Sequence, residues 1–144
     1  MSISMRKRAA TVLTTAAIVV GGTMTVGAGT AAAASAPPNA KFYYNNLGGG
    51  MYSIIGYSGN KVVGSGYWHA NGDRLEAVDP SPDGYGFAAY LGTSPVREAS
   101  TYGHNAPHTV SKSGNLPEGK KYRFWVCMGG SGGQVCSDTM TVAA

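Results

Sequence analysis

After residue 36, no stretch of this 144-residue chain places apolar residues at three-and-four spacing for more than a turn, and Gly and Pro recur throughout. A helical core is thereby excluded, and strand signals are frequent. Ser65–Ala70 runs into Asn71-Gly72, a preferred two-residue hairpin turn because both positions tolerate positive φ. Asp73–Asp79 is the predicted return strand, and Pro80–Gly84 a second turn. Tyr85, Phe87, Ala89 and Leu91 then alternate with Gly86, Ala88 and Tyr90, a period-two strand with one aromatic-rich face. Val96–Tyr102 and Pro107–Lys112 are shorter strand candidates. Seven or so short strands separated by regular turns predict an all-β sandwich.

The strongest local signal lies near the C-terminus. Leu116, Gly119 and Tyr122 have the spacing that precedes the penultimate strand of immunoglobulin- and fibronectin-like sandwiches. There the tyrosine hydroxyl bonds back to upstream backbone as a tyrosine corner. Cys127 and Cys136 straddle a Gly-rich turn, Met128–Val135, ahead of a final strand at Cys136–Val142. As the only cysteines, they most simply form one structural disulfide. Its ring of about ten residues stabilises by roughly 2–3 kcal/mol on the chain-entropy account. If the cysteines pair directly opposite, Arg123, Trp125, Met140 and Val142 share their face, and Tyr122, Phe124 and Val126 take the other. Both faces are partly apolar, so alternation leaves the core side open.

At the other end, Arg6-Lys7-Arg8 precedes an uncharged run from about Ala9 to Val26 and then small residues, the layout of a secretory signal peptide. Cleavage is expected after Ala34, since Pro37 disfavours the alternative after Ala36. The expected organisation is 1–34 signal peptide, 35–60 a Tyr/Gly/Asn-rich extension or first strands, and 61–144 the sandwich. The formal charge of +4 falls to about +1 once Arg6, Lys7 and Arg8 are removed. Beyond Lys120–Arg123 there is no basic patch for nucleic acid or an anionic membrane. Segment 35–60 is contact-rich in composition, offering large rigid rings beside adaptable polar groups. Phe42, Tyr43, Tyr44, Met51, Tyr52, Ile54 and Tyr57 are therefore the candidate partner-binding residues, unless they are simply the first strands of the domain.

Each motif with a chemical reading also has a plainer one. Asp79-Pro-Ser-Pro-Asp83-Gly84 resembles the opening of a calcium loop, but its twelfth position is Tyr90 rather than a bidentate Glu, so a turn is expected. His104 and His108 have zinc-site spacing, yet Pro107 breaks the helix that would align them. His69, beside Trp68, offers no identifiable partner. Gly129–Gly133 lacks the strand-to-helix turn of a nucleophile elbow, and Asp73, Glu76, Asp79 and Asp83 lie along one hairpin rather than across a cleft. The expectation is a non-enzyme without metal or cofactor.

From Tyr67 to Val142 the chain resembles a family of small secreted actinobacterial proteins with an immunoglobulin-like sandwich. The resemblance rests on Tyr67–Asp79, Asp83–Leu91, Leu116–Gly119, Tyr122–Cys127 and Cys136. Many members have four cysteines; here the place of a first cysteine reads Ala77-Val78. Some are similar to the adaptor subunits of secreted umbrella-shaped toxin particles, which bridge a lectin-like subunit and a toxin chain. The resemblance implies a secreted adaptor that binds other secreted proteins. Two other functions stand beside it: a hydrolase inhibitor presenting the Met128–Val135 tip, and a glycan or cell-wall binder using Trp68 or Trp125.

Overall fold

The computed structural model describes residues 35–144; the signal-peptide reading falls on residues 1–34, outside the described residues. The described chain is all-β. The first sheet has antiparallel order β1 (Ala40–Gly48), β2 (Met51–Ser58), β3 (Lys61–His69), β4 (Arg74–Asp79) and β7 (His108–Lys112). In the second sheet, β8 (Lys121–Gly130) lies between β5 (Gly86–Leu91) and the pair β9 (Gly133–Cys136) and β10 (Met140–Ala143), with β6 (Arg97–Ser100) beyond β5. Strands β3, β4 and β7 facing β10/β9, β8, β5 and β6 make an immunoglobulin-like sandwich. The β1–β2 hairpin extends its first sheet by two strands.

The interior is built from the alternation that the sequence announced. Phe87, Ala89 and Leu91 of β5, Leu75 and Ala77 of β4, and Tyr122, Phe124, Val126 and Met128 of β8 form one buried cluster with Trp68 and Ile54. Its two walls are complementary in volume. The first sheet offers bare glycines where the second offers bulk. A Cβ on Gly64 would sit 2.4 Å from Phe87, one on Gly66 would sit 2.4 Å from Val126, and one on Gly56 would sit 2.7 Å from the Met128 sulfur. A bulge in β3 supports this fit. Gly56 pairs with Gly64 but Tyr57 with Val62, so Val63 is the extra residue and its side chain joins the core.

Cys127 and Cys136 are directly opposed and disulfide-bonded. The face assignment expected from that pairing is nevertheless overturned. Beyond Cys136 the register moves by one residue, and Met140 pairs with Phe124 and Val142 with Tyr122. Ser137 fills the break: its N–H donates to the Val126 carbonyl (2.9 Å) and its hydroxyl accepts from the Val126 amide (3.1 Å). One inserted residue reverses every later side chain. Met140 and Val142 thus join Tyr122 and Phe124 on the core side, leaving Arg123 and Trp125 on the outer face.

The tyrosine corner is also corrected. Tyr122 is buried and Leu116 packs against the core, with Gly119 at φ +72°. The Tyr122 hydroxyl, however, makes no hydrogen bond among the described residues. The Leu116 amide instead donates to the Asp73 carboxylate at 2.6 Å, a stronger charge-assisted partner. The Gly119 amide bonds the Ala144 carbonyl, and the Ala144 amide bonds the Lys120 carbonyl. A carboxylate and the C-terminal residue therefore anchor the segment that the phenol was expected to hold.

Candidate binding surface on the edge strand

Residues 35–60 are not a free extension. Residues 40–48 and 51–58 are paired strands of the first sheet, and their register sorts the seven candidate residues by face. Phe42 lies opposite Gly56, Tyr44 opposite Ile54, and Asn46 opposite Tyr52, all on the side facing the second sheet. Ile54 is wholly buried, and Phe42 and Tyr52 pack partly buried against the core. These three are structural residues, because apolar side chains at alternate positions close the end of the core that the glycines leave shallow. Tyr44 is on the same face, and its hydroxyl donates to the carbonyl of Asp138, between β9 and β10, at 3.4 Å. Tyr43, Met51 and Tyr57 project from the opposite, outer face, where Tyr43 and Tyr57 meet edge-to-face at 5.1 Å.

The residues that remain open to a partner belong to β1. Tyr43, Tyr44 and Leu47 are 54%, 41% and 53% exposed, against two exposed large apolar residues elsewhere, Val62 and Val96. Strand β1 ends the sheet, so among the described residues one row of its backbone groups is unpaired. It is nine residues long and carries a single charge, Lys41. The other edges are blunted. Strand β6 has four residues including Arg97 and Glu98, β7 has five residues and ends in Lys112, and the β9–β10 edge is broken at Ser137. Short, charged or bulged edges resist pairing with another chain; long uncharged ones invite it. Leu47 was missed in the sequence because it falls between Asn46 and three glycines, where a loop is the natural reading.

The remaining motifs find structural roles. Trp68 is wholly buried and its indole N–H donates to the Ala143 carbonyl at 2.8 Å, so it offers no face to a glycan. Trp125 lies on the outer face of the second sheet, stacked against Tyr90 with ring centroids 5.4 Å apart. The hairpin tip of the inhibitor reading shrinks to Ser131-Gly132, because β8 runs through Gly130 and Met128 is a core residue. His69 has a partner after all: both ring nitrogens lie within 3.4 Å of an Arg74 guanidinium nitrogen across the β3–β4 pair. Burial, and then Arg74, lower its pKa. Asp79 and Asp83 accept hydrogen bonds from the Ser81 and Tyr85 amides, which makes the calcium-loop look-alike a pair of Asx turns. His104 and His108 stack at 4.1 Å. No group of three potential metal ligands occurs among the described residues.

Burial raises the pKa of the Asp79 carboxyl above its ordinary value, with Asp83 adding to the shift and the Ser81 amide opposing it. A raised folded-state pKa means that folding takes up a proton, so this group penalises stability as pH rises through that value. Asp79→Asn keeps the acceptor for Ser81 and removes the buried charge. Its expected result is a higher Tm at neutral pH, with the gain vanishing below the unfolded carboxylate value of about 3.9. Thermal melts of both proteins across acidic to neutral pH check this.

No family model, curated protein or solved structure matches the chain. No helix among the described residues is long and apolar enough to cross a membrane.

Proposed function

We propose that the chain is an exported, non-enzymatic binding protein that docks an extended segment of another exported protein against β1. The observation that carries this reading is the contrast among edges: three are short, charged or broken, while β1 is long, nearly uncharged and lined by exposed Tyr43, Tyr44 and Leu47. An added strand would gain main-chain hydrogen bonds from the open edge and side-chain specificity from alternate residues on the two faces. The disulfide suits an oxidising compartment. The resemblance to secreted adaptor subunits supplies a setting in which such an edge would join larger chains.

The test is a paired recovery experiment. Tagged mature protein and its Tyr43→Lys/Leu47→Lys variant are each recovered from the culture medium of the source cells, and whatever accompanies them is identified. Both substitutions fall on exposed positions, and loss of the Tyr43–Tyr57 edge-to-face contact should cost about 0.5–1.5 kcal/mol, which leaves the domain folded. The expected result is a defined larger chain that accompanies the wild type and is lost from the variant, with cooperative melting retained. Equal recovery with both proteins would remove β1 as the docking edge.

A further inference from the structure

Three motifs that individually carry no chemistry converge at one end of the sandwich. They are the Asp79–Gly84 turn between β4 and β5, the His104-containing loop between β6 and β7, and the Gly-rich tip between β8 and β9. Together they enclose a cleft of about 800 Å³. We propose that this cleft is a binding site for a neutral carbohydrate, independent of the β1 edge.

The floor of the cleft is fixed. The Thr101 hydroxyl is buried, accepting from the Phe87 amide at 2.9 Å and donating to the Phe87 carbonyl at 3.0 Å. Asp79, 2% exposed, presents its carboxyl at the margin. The wall is aromatic. Tyr102 lies flat over Gly86, where a Cβ would stand 2.3 Å from the ring, and Tyr85 lines the same space. The Tyr102 hydroxyl reaches Gln134 at 3.5 Å, and burial pushes its pKa up to about 12, so it keeps its proton. His104 is held against the opening by its stack on His108.

The chemistry of the lining selects the ligand class. No Lys or Arg contributes to it and the Asp79 carboxyl stands at its margin, a lining that disfavours a phosphate or carboxylate. Two phenol rings offer apolar faces with polar tips. Around them, Asn105, Gln134 and His104 supply directional donors and acceptors. Glycines at 84, 103, 129, 130 and 133 keep the space open and their backbone groups within reach. A pocket with apolar stacking surface, several hydrogen-bonding groups and no Lys or Arg matches a sugar ring, which has an apolar face and a rim of hydroxyls.

Amide NMR of the isotope-labelled mature chain tests this directly. The probes are the trisaccharides of N-acetylglucosamine, glucose and mannose at millimolar concentration, with inorganic phosphate as the anionic comparison. The expected result is a saturable shift of the Gly84, Gly103, Gly129 and Gly130 amides by at least one trisaccharide. Binding should weaken about tenfold in Gln134→Ala, as loss of one well-made hydrogen bond implies. Tyr102→Phe, which keeps the ring on Gly86, should weaken it as well, and Trp125→Ala should leave it unchanged. The proposal is overturned if none of the three sugars moves these amides, if only phosphate does, or if the shifts map to Trp125 and Tyr90.

Discussion

Replacing Trp68 by alanine is expected to destabilise the domain by about 3–5 kcal/mol, the range for deleting a fully buried aromatic side chain. The indole is wholly buried between the sheets, and its N–H holds the Ala143 carbonyl of the last strand. Removing it leaves a cavity and a carbonyl without its donor, each an independent loss. A domain of this size has a total stability of about 5–15 kcal/mol, so the variant should lie close to unfolding. Trp68→Phe isolates the hydrogen bond, since it keeps most of the volume. Its cost should be nearer 1–3 kcal/mol. Denaturant titrations of the three proteins decide the matter. A loss below about 1 kcal/mol for alanine would mean that the tryptophan is not where the two sheets meet.

The second large effect comes from adding atoms. Gly64→Ala places a Cβ 2.4 Å from two carbons of Phe87, which is itself wholly buried and has no room to retreat. Overpacking of this kind costs about 1–3 kcal/mol and sometimes more. The clash acts against the gain of about 0.4–1 kcal/mol that alanine brings by restricting the unfolded chain, and a double-mutant cycle with Phe87→Leu isolates it. If the clash is the reason, the two changes together should be less destabilising than the sum of each alone by roughly 0.5–3 kcal/mol. Additive effects would mean that Phe87 is not what the new methyl group displaces. The same logic predicts that alanine at Gly72, where no atom lies within 4 Å, suffers only from the positive φ of 85°.

Particular residues show how much of this was legible in the sequence. The all-β class, a hairpin turn around Asn71-Gly72, the β5 alternation and the Cys127–Cys136 disulfide followed from period, turn chemistry and cysteine count. The two-residue form of that turn is corrected: His69 pairs with Arg74 across a four-residue loop, 70–73, in which Gly72 and Asp73, not Asn71, take positive φ. The role of Trp68 did not follow. Alternation along β3 reads Gly64, Gly66, Trp68, and glycines carry no hydropathy to mark a buried face. Only the facing residues Phe87 and Val126 reveal why the glycines are there. The faces of Met140 and Val142 were misjudged for a related reason: a single extra residue near Ser137 inverts the register, and nothing in Cys136–Met140 signals a bulge. The N-terminal residues show the opposite case. Their composition signalled contact, but only pairing with β3 separates Ile54, which is core, from Tyr43, which is surface. The loop-end cleft was invisible because its three segments lie far apart along the chain and each reads as an ordinary turn.

Whether β1 is the docking edge is tested most directly by amide hydrogen exchange on the protein recovered with its partner, compared with the protein alone. A strand added to the edge would bond the free backbone groups of β1 and protect them. The account predicts new protection concentrated in Ala40–Gly48, with β6, β7 and the β9–β10 edge unchanged. Protection that appears at those other edges or at the loop-end cleft, with β1 exchanging as fast as in the free protein, would contradict it.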